Sequence, residues 1–271
     1  MRLGLIGHGA VARQALAAMA KEAVAPMEAL IALARPESAS KARDLLSEFK
    51  GPLFRDVLIV SDLPSLLEQR PSLVAEAAGH AAVRECGPAI LSAGVDFLIT
   101  SAGALALPQL RAALDEAAQQ GYSQWDVCAG AVGGLDILAA ARLSGLTDVM
   151  YTSRKPPHAW RGTRAEALIK LDEITEPVTF YEGCAEAAAR DYPQNANVAA
   201  TIALRGAGFD RTRVRLVADP SATRNVHEIE IASACADIHV RIAGRPSPDN
   251  PKTSLTTGYA LAAHILQSDR K

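Results

Sequence analysis

Arg2-Leu3-Gly4-Leu5-Ile6-Gly7-His8-Gly9-Ala10-Val11-Ala12 opens the chain. Arg2–Ile6 reads as a buried strand, and the apolar spacing of Ala10–Ala20 reads as a helix. Between them stands G-x-G-x-x-A, the fingerprint of a dinucleotide-binding turn. Gly7 permits the tight turn, and Gly9 lets backbone approach a pyrophosphate. The charge of that group then sits at the helix N-terminus. Gly9, Ala10 and Val11 are therefore candidate cofactor contacts with Gly7, and Ala12 keeps helix and sheet close. His8 is expected to be an exposed neighbour of the phosphates.

The pattern repeats outward from this unit. Ala29–Ala34 reads as a second strand and Ser38–Glu48 as a helix. Leu58–Val60, Leu73–Ala75 and Asp96–Ile99 read as further buried strands, with helices at Ala81–Leu91 and Leu107–Gln119. Strand and helix alternating in this way predict an α/β fold, a Rossmann-type parallel sheet with helices on both faces, over residues 1–125. An acidic residue after the second strand would bind the ribose 2′-hydroxyl of NAD. Here Ala34-Arg35-Pro36 stands instead, and a guanidinium can pair with the 2′-phosphate of NADP. Arg35 either reads that phosphate or is a surface residue stacking on adenine, and use of both NAD and NADP is expected.

Near Trp125 the pattern changes. A helix is expected over Gly133–Ser144, and strands over Val149–Ser153, Ala167–Leu171, Val214–Ala218, Val226–Ser233 and Ile238–Ala243. Helices are expected over Cys184–Asp191 and Asn197–Ala207. This predicts an α+β domain with a mixed or antiparallel sheet over 126–252. After a turn at Pro248–Pro251, a helix over Ser254–Gln267 is expected to return to the first domain, making 253–271 a third segment.

Composition excludes several classes. The net charge of -2 gives no basic field for nucleic acid, and Arg211, Arg213 and Arg215 read as one solvated strand face. Cys86, Cys128, Cys184 and Cys235 are far apart, without CxxC or a nearby histidine pair, so buried reduced thiols and no metal are expected. Glycines and charges interrupt the opening apolar run, and no stretch reaches the length of a membrane span. A cytoplasmic protein is the expectation.

Several short motifs then stand in order: Glu76-Ala77-Ala78-Gly79-His80, Thr100-Ser101-Ala102-Gly103-Ala104-Leu105-Ala106, Gly130-Ala131-Val132-Gly133-Gly134-Leu135-Asp136, and Arg154-Lys155-Pro156-Pro157. Tyr192-Pro193-Gln194-Asn195-Ala196-Asn197-Val198-Ala199-Ala200, Asn225-Val226-His227-Glu228-Ile229 and Asn250-Pro251-Lys252-Thr253-Ser254 complete the set. In these the chain resembles the L-aspartate dehydrogenase family along nearly its whole length. The resemblance implies reversible, NAD(P)-dependent oxidative deamination of L-aspartate to oxaloacetate and ammonia through iminoaspartate, which could also feed NAD biosynthesis. It further implies that Ala131 and Asn197 contact the cofactor, that His227 is catalytic, and that the protein is a homodimer. Arg35 departs from a strict NAD pattern.

Strand parity bears on the histidines. His227, Ile229 and Ile231 share one face, while Val226, Glu228 and Glu230 share a more solvated one. On the partner strand Ile238, Val240 and Ile242 mark the covered face, so His239 points away. The residues alone leave His227 as either a hydrogen-bonded core histidine or a cleft residue, and the resemblance favours the second. A substrate with two carboxylates calls for cationic or amide donors. Lys252 and Thr253, at the expected start of the last helix, are candidates, although Thr253 or Ser254 could simply cap it. Asn195 joins them, and Arg154 and Lys155 are weaker candidates. Two alternatives stay open: another oxidoreductase of similar architecture, of the homoserine dehydrogenase or dihydrodipicolinate reductase type, and a non-catalytic NADP-binding sensor.

Overall fold

The computed structural model describes residues 1–247 and 250–269; for 194 and 250–253 it describes the backbone only. The chain forms two compact units, one of Met1–Cys128 with Thr257–Lys271, the other of Ala129–Thr256.

In the first unit β1 (Arg2–Ile6), α1 (Ala10–Glu22), β2 (Met27–Leu33), α2 (Ala39–Leu46), β3 (Phe54–Val60), α3 (Leu63–Glu68), β4 (Leu73–Glu76), α4 (His80–Ser92), β5 (Asp96–Ile99), α5 (Pro108–Gly121) and β6 (Trp125–Val127) follow in turn. The six strands are all parallel, in the order β3-β2-β1-β4-β5-β6. The order reverses between β1 and β4, which opens a crevice at the carboxyl ends of those strands. β4 is buried at every position and β1 at all but its first, because helices cover both faces. From α1, Ala12, Ala15, Leu16 and Met19 enter the core at helical spacing. Leu261, Ala262 and Ile265 of the chain's last helix join the same core cluster. The sequence missed α3 and β6, each very short.

The second unit contains α6 (Leu135–Ser144), β7 (Leu146–Lys155), α7 (Ala165–Leu168), β8 (Val178–Cys184), α8 (Ala185–Asp191), α9 (Ala196–Arg205), β9 (Arg213–Ala218), β10 (Val226–Ser233), β11 (Asp237–Ala243), β12 (Pro246–Ser247) and β13 (Asn250–Ser254). Helix α10 (Leu255–Ser268) follows. The main sheet runs β11-β10-β7-β9-β8 and is mixed: only the β7–β9 pair is parallel. The expected hairpin is present, with Ala232 opposite Asp237 across its turn.

Three expectations are corrected. Ala167–Leu171 is not a strand, since α7 occupies its start and a single 3-10 turn, Leu171–Glu173, follows. Ala-Leu-Ile-Lys-Leu satisfies both apolar periods over so short a run, and burial of Ala165 and Leu171 decides for the helical turns. The strand that completes the sheet is instead β8. It pairs only with β9, and no position of this edge strand is fully buried, so its sequence carries little apolar signal. The thiols are not uniformly buried: Cys128 is, Cys86 and Cys184 are half-buried, and Cys235 is exposed in the hairpin turn. The expected turn at Pro248–Pro251 falls partly outside the described residues.

Candidate active site

In the first unit the fingerprint has the geometry its residue types require. Gly7 has φ +97°, and a Cβ there would lie 2.6 Å from the Ala77 carbonyl oxygen, so only glycine fits. Gly9 is the N-cap of α1 in extended conformation, with no side chain capping the helix. A Cβ on Gly9 would meet nothing within 4 Å. Ala10 and Val11 form the first helical turn, and Ala12 is fully buried. Open space therefore stands over an uncapped helix N-terminus, the condition an incoming phosphate needs. The electrostatics agree. Burial, then the charges of Lys41 and Arg35, lower the pKa of His8, so three basic side chains share this corner. The Arg35 side chain is 84% exposed, and among the described residues its ion-pair partner is Glu37, at 3.3 Å. A surface pair of that kind leaves the guanidinium available to another anion.

Sequence reasoning missed Glu76, and the structure assigns it a role. It is fully buried at the end of β4. One carboxylate oxygen accepts from the N–H groups of Ala78 and Gly79 at 2.6 and 2.7 Å and from the Ser101 hydroxyl at 2.8 Å. The other accepts from the N–H groups of Thr100 and Ser101 at 3.2 and 3.0 Å. Glu76 thus ties together the loops after β4 and β5, at the carboxyl end of the parallel sheet, where ligands bind. It stands in one of the quoted motifs, but its contacts depend on sheet order, which no local pattern reveals.

In the second unit, Ser153 of β7 lies opposite His227 of β10. Tyr151, Ser153 and Lys155 alternate onto one face of β7, and cross-strand pairing puts His227 on that same face. The start of α6 covers the face: Gly134, at φ +73°, is so close that a Cβ would lie 2.9 Å from Val240 Cγ2. His227 is 5% exposed, whereas His239 points outward and is exposed. Parity placed Val226 on the face of Glu228 and Glu230, but that face is not solvated there, since Val226 is buried.

The Tyr151 hydroxyl and His227 Nδ1 are 2.8 Å apart, and the two rings stack at 6.0 Å. Tyr151 also bonds with the Ser153 side chain, and burial raises the pKa of its phenol well above the ordinary range. It is therefore a neutral hydrogen-bonding partner, not a phenolate. Burial first, then the positive charge of Lys155, lowers the His227 pKa from 6.5 to about 4. Burial alone lowers Lys155 from 10.5 to about 8. The Lys155 ammonium donates to Asn195 Oδ1 and lies 4.7 Å from the centre of the Trp160 ring. Trp160 is itself fully buried, held by its N–H to the Val217 carbonyl and by an edge contact with Phe180.

The structure therefore brings His227, Tyr151, Lys155 and Asn195 toward one face, and separates Arg154 from them. Arg154 is bound by Asp219 at 3.1 Å and by Glu228 at 3.7 Å, so its charge is already answered. Ala131 is buried in the turn before α6, and Asn197 is exposed in the first turn of α9. Lys252 and Thr253 lie on β13, not in the first turn of the last helix, which begins at Leu255. Their side chains are outside the described residues. A cavity of about 140 Å³ lies beyond the end of β7, lined by residues including Pro156, Thr223, Asn225 and Arg245, but not His227 or Lys155. Among the described residues no group of three His, Cys, Asp or Glu side chains is placed to hold a metal ion.

Comparison with known proteins agrees with both halves. Residues 136–268 match the family model "Aspartate dehydrogenase, C-terminal", and residues 7–127 match "Homoserine dehydrogenase, NAD binding domain". L-aspartate dehydrogenase of Ruegeria pomeroyi is 42% identical over 98% of this chain and 92% of that protein. The chain belongs to the L-aspartate dehydrogenase family. L-aspartate dehydrogenase of a Polaromonas species is 37% identical over 100% of the chain and 98% of its own length. The solved aspartate dehydrogenase of Thermotoga maritima superposes with a TM-score of 0.76 at 24% identity, covering 100% of this chain and 97% of that one, a likeness of fold. A nicotinamide-dependent dehydrogenase follows from the family and from the form of the first unit.

Proposed function

We propose that the protein oxidises L-aspartate to oxaloacetate and ammonia, reversibly, using either NAD or NADP. Family membership over nearly the whole chain carries the reading, and the buried, neutral His227 supports it. Gly7, Gly9, Ala10, Val11 and Arg35 would hold the dinucleotide, and the family resemblance adds Ala131 and Asn197 as cofactor contacts. A nicotinamide held there would supply the acceptor for the Cα hydrogen of aspartate, which leaves as hydride. The chain's own residues bind the two carboxylates and handle protons. The substrate ammonium must lose a proton before its carbon is oxidised, and water must then add to the imine and release ammonia. His227 is the group for both tasks, since a neutral imidazole can take a proton or hold the attacking water. For Nε2 to keep its lone pair, Nδ1 must carry the proton and donate it to the Tyr151 oxygen. The Tyr151 hydroxyl is then directed to Ser153. That tautomer also suits the protonated ring, whose Nδ1–H keeps the same acceptor. Tyr151 is thus a positioning residue.

Lys252 and Thr253 remain proposed carboxylate ligands, and Asn195 is joined to them through Lys155. By the family resemblance the protein works as a homodimer, and the imine it releases could serve NAD biosynthesis. The deciding assay supplies oxaloacetate and ammonia, with NADH and NADPH in separate reactions. Consumption of reduced cofactor only when both are present is the expected result. No turnover with them, but turnover with aspartate semialdehyde, would move the protein to the homoserine dehydrogenase type. No turnover with any substrate, but tight NADP binding, would favour a sensor.

A further inference from the structure

A half-buried ammonium normally has a carboxylate beside it, because leaving water without a counter-charge is costly. Lys155 has none. Among the described residues no carboxylate lies within ion-pair distance of its Nζ, while its neighbour Arg154 holds two. What surrounds Lys155 instead is an arrangement that fixes the ammonium without neutralising it. The Trp160 ring lies 4.7 Å from the Nζ, and Asn195 offers an amide oxygen. Trp160 cannot yield, since it is fully buried and tied to Val217. The strand then turns away at Pro156. Parity puts Lys155 on the face of the sheet that carries His227.

We propose that Lys155, oriented by Asn195 and Trp160, is the cation that receives a carboxylate of the dicarboxylate substrate and sets it beside His227. The assignment rests on the proposed function for its substrate class, and adds a residue and a coupling to it. Before substrate binds, the Lys155 charge bears on His227 and helps hold the ring neutral. Among the described residues no other charge is resolved as acting on His227. Its strand neighbours across the sheet are Ser153 and Ile242, Tyr151 is neutral, and α6 turns Leu138 and Ala141 inward. A carboxylate on Lys155 cancels that positive field at the moment a base is needed. His227 then becomes a stronger base, and it does so only when the site is loaded. Asn195 orients the ammonium, so its contribution passes through Lys155.

The test uses succinate, a four-carbon dicarboxylate that lacks the reacting amino group, with the full-length protein saturated with NAD. Calorimetry should show that Lys155→Met, which keeps the stem against Trp160 and removes the charge, weakens succinate binding by roughly tenfold to a hundredfold. Lys155→Arg should lose much less, and NAD binding should be unchanged in both. In the wild type, the NMR titration midpoint of the His227 ring should rise by about one unit when succinate is added. In Lys155→Met it should stand higher without succinate and stay there when succinate is added. Wild-type affinity for succinate in Lys155→Met overturns the proposal. Should Lys155→Met not fold, the wild-type titration decides alone, and a His227 midpoint indifferent to succinate overturns it. Turnover of oxaloacetate and ammonia without Lys155-dependent succinate binding refutes this assignment and leaves the function standing. Lys155-dependent succinate binding without that turnover does the reverse.

Discussion

Acid should unfold this protein partly through His227, by an amount the structure sets. An unfolded imidazole titrates near 6.5, and the folded ring is lowered to about 4 by burial and by the Lys155 charge. Between these values the unfolded chain binds a proton that the folded chain refuses, so stability falls as pH drops through the window. The contribution is fully present above pH 6.5 and exhausted below the folded pKa. At 1.36 kcal/mol per unit, the whole window is worth about 3 kcal/mol, most of it gone by about pH 4.5. Carboxylates held low by partners, such as Asp148 against Arg213, lose their share at lower pH, and a variant separates the two effects. His227→Asn removes the titration while leaving an amide for Tyr151. Urea unfolding would be measured at pH 7.5 and pH 4.5 in a Trp125→Phe background. Fluorescence then reports Trp160, buried in the same unit as His227. The wild type should lose about 2 to 3 kcal/mol more than the variant between the two pH values. Parallel losses, within about 0.5 kcal/mol of each other, would refute a buried neutral imidazole.

Other outcomes follow from the same geometry. His227→Asn should retain NADH binding, measured by fluorescence titration, while kcat falls by roughly 10²–10⁴; near-full kcat in the folded variant would leave His227 a core residue. Arg35→Asp should weaken NADPH binding far more than NADH binding, because Arg35 is exposed and held by Glu37 in a surface pair; equal losses would show that it does not read the 2′ position. Glu76→Gln replaces acceptors with one amide nitrogen that faces N–H groups, and should cost about 2 kcal/mol or more of stability and weaken NADH binding. An unchanged Tm would mean that the loops after β4 and β5 hold their shape without it.

Much of the fold was legible because its signals are local. Gly7, Gly9 and Ala12 announce their turn within six residues, although the backbone that excludes a Cβ at Gly7 belongs to Ala77, and the fully buried strands read as apolar runs. The elements that escaped are those whose identity is decided elsewhere. β8 is a strand because β9 offers it an edge. Lys252 and Thr253 belong to β13 because β12 pairs with it, which no helix-start signal in Asn250–Ser254 could announce.

The candidate site divides along the same line. Parity alone put His227 on the covered face and turned His239 outward, since a strand's period is two and one buried neighbour fixes the rest. Parity could not separate Arg154 from Lys155 by chemistry. As cations one residue apart they look equivalent until the register is known. The register sets Arg154 beside Val226, on the Glu228 side of the sheet, and Asp219 completes its neutralisation. The same register sends Lys155 to the opposite face, where an amide and an indole receive it. One residue of alternation therefore decides which cation is spent on the fold and which keeps its charge for a ligand. Lys155 is left beside a histidine with no carboxylate partner among the described residues, which is where a substrate carrying two negative charges can change the protonation of the protein by binding to it.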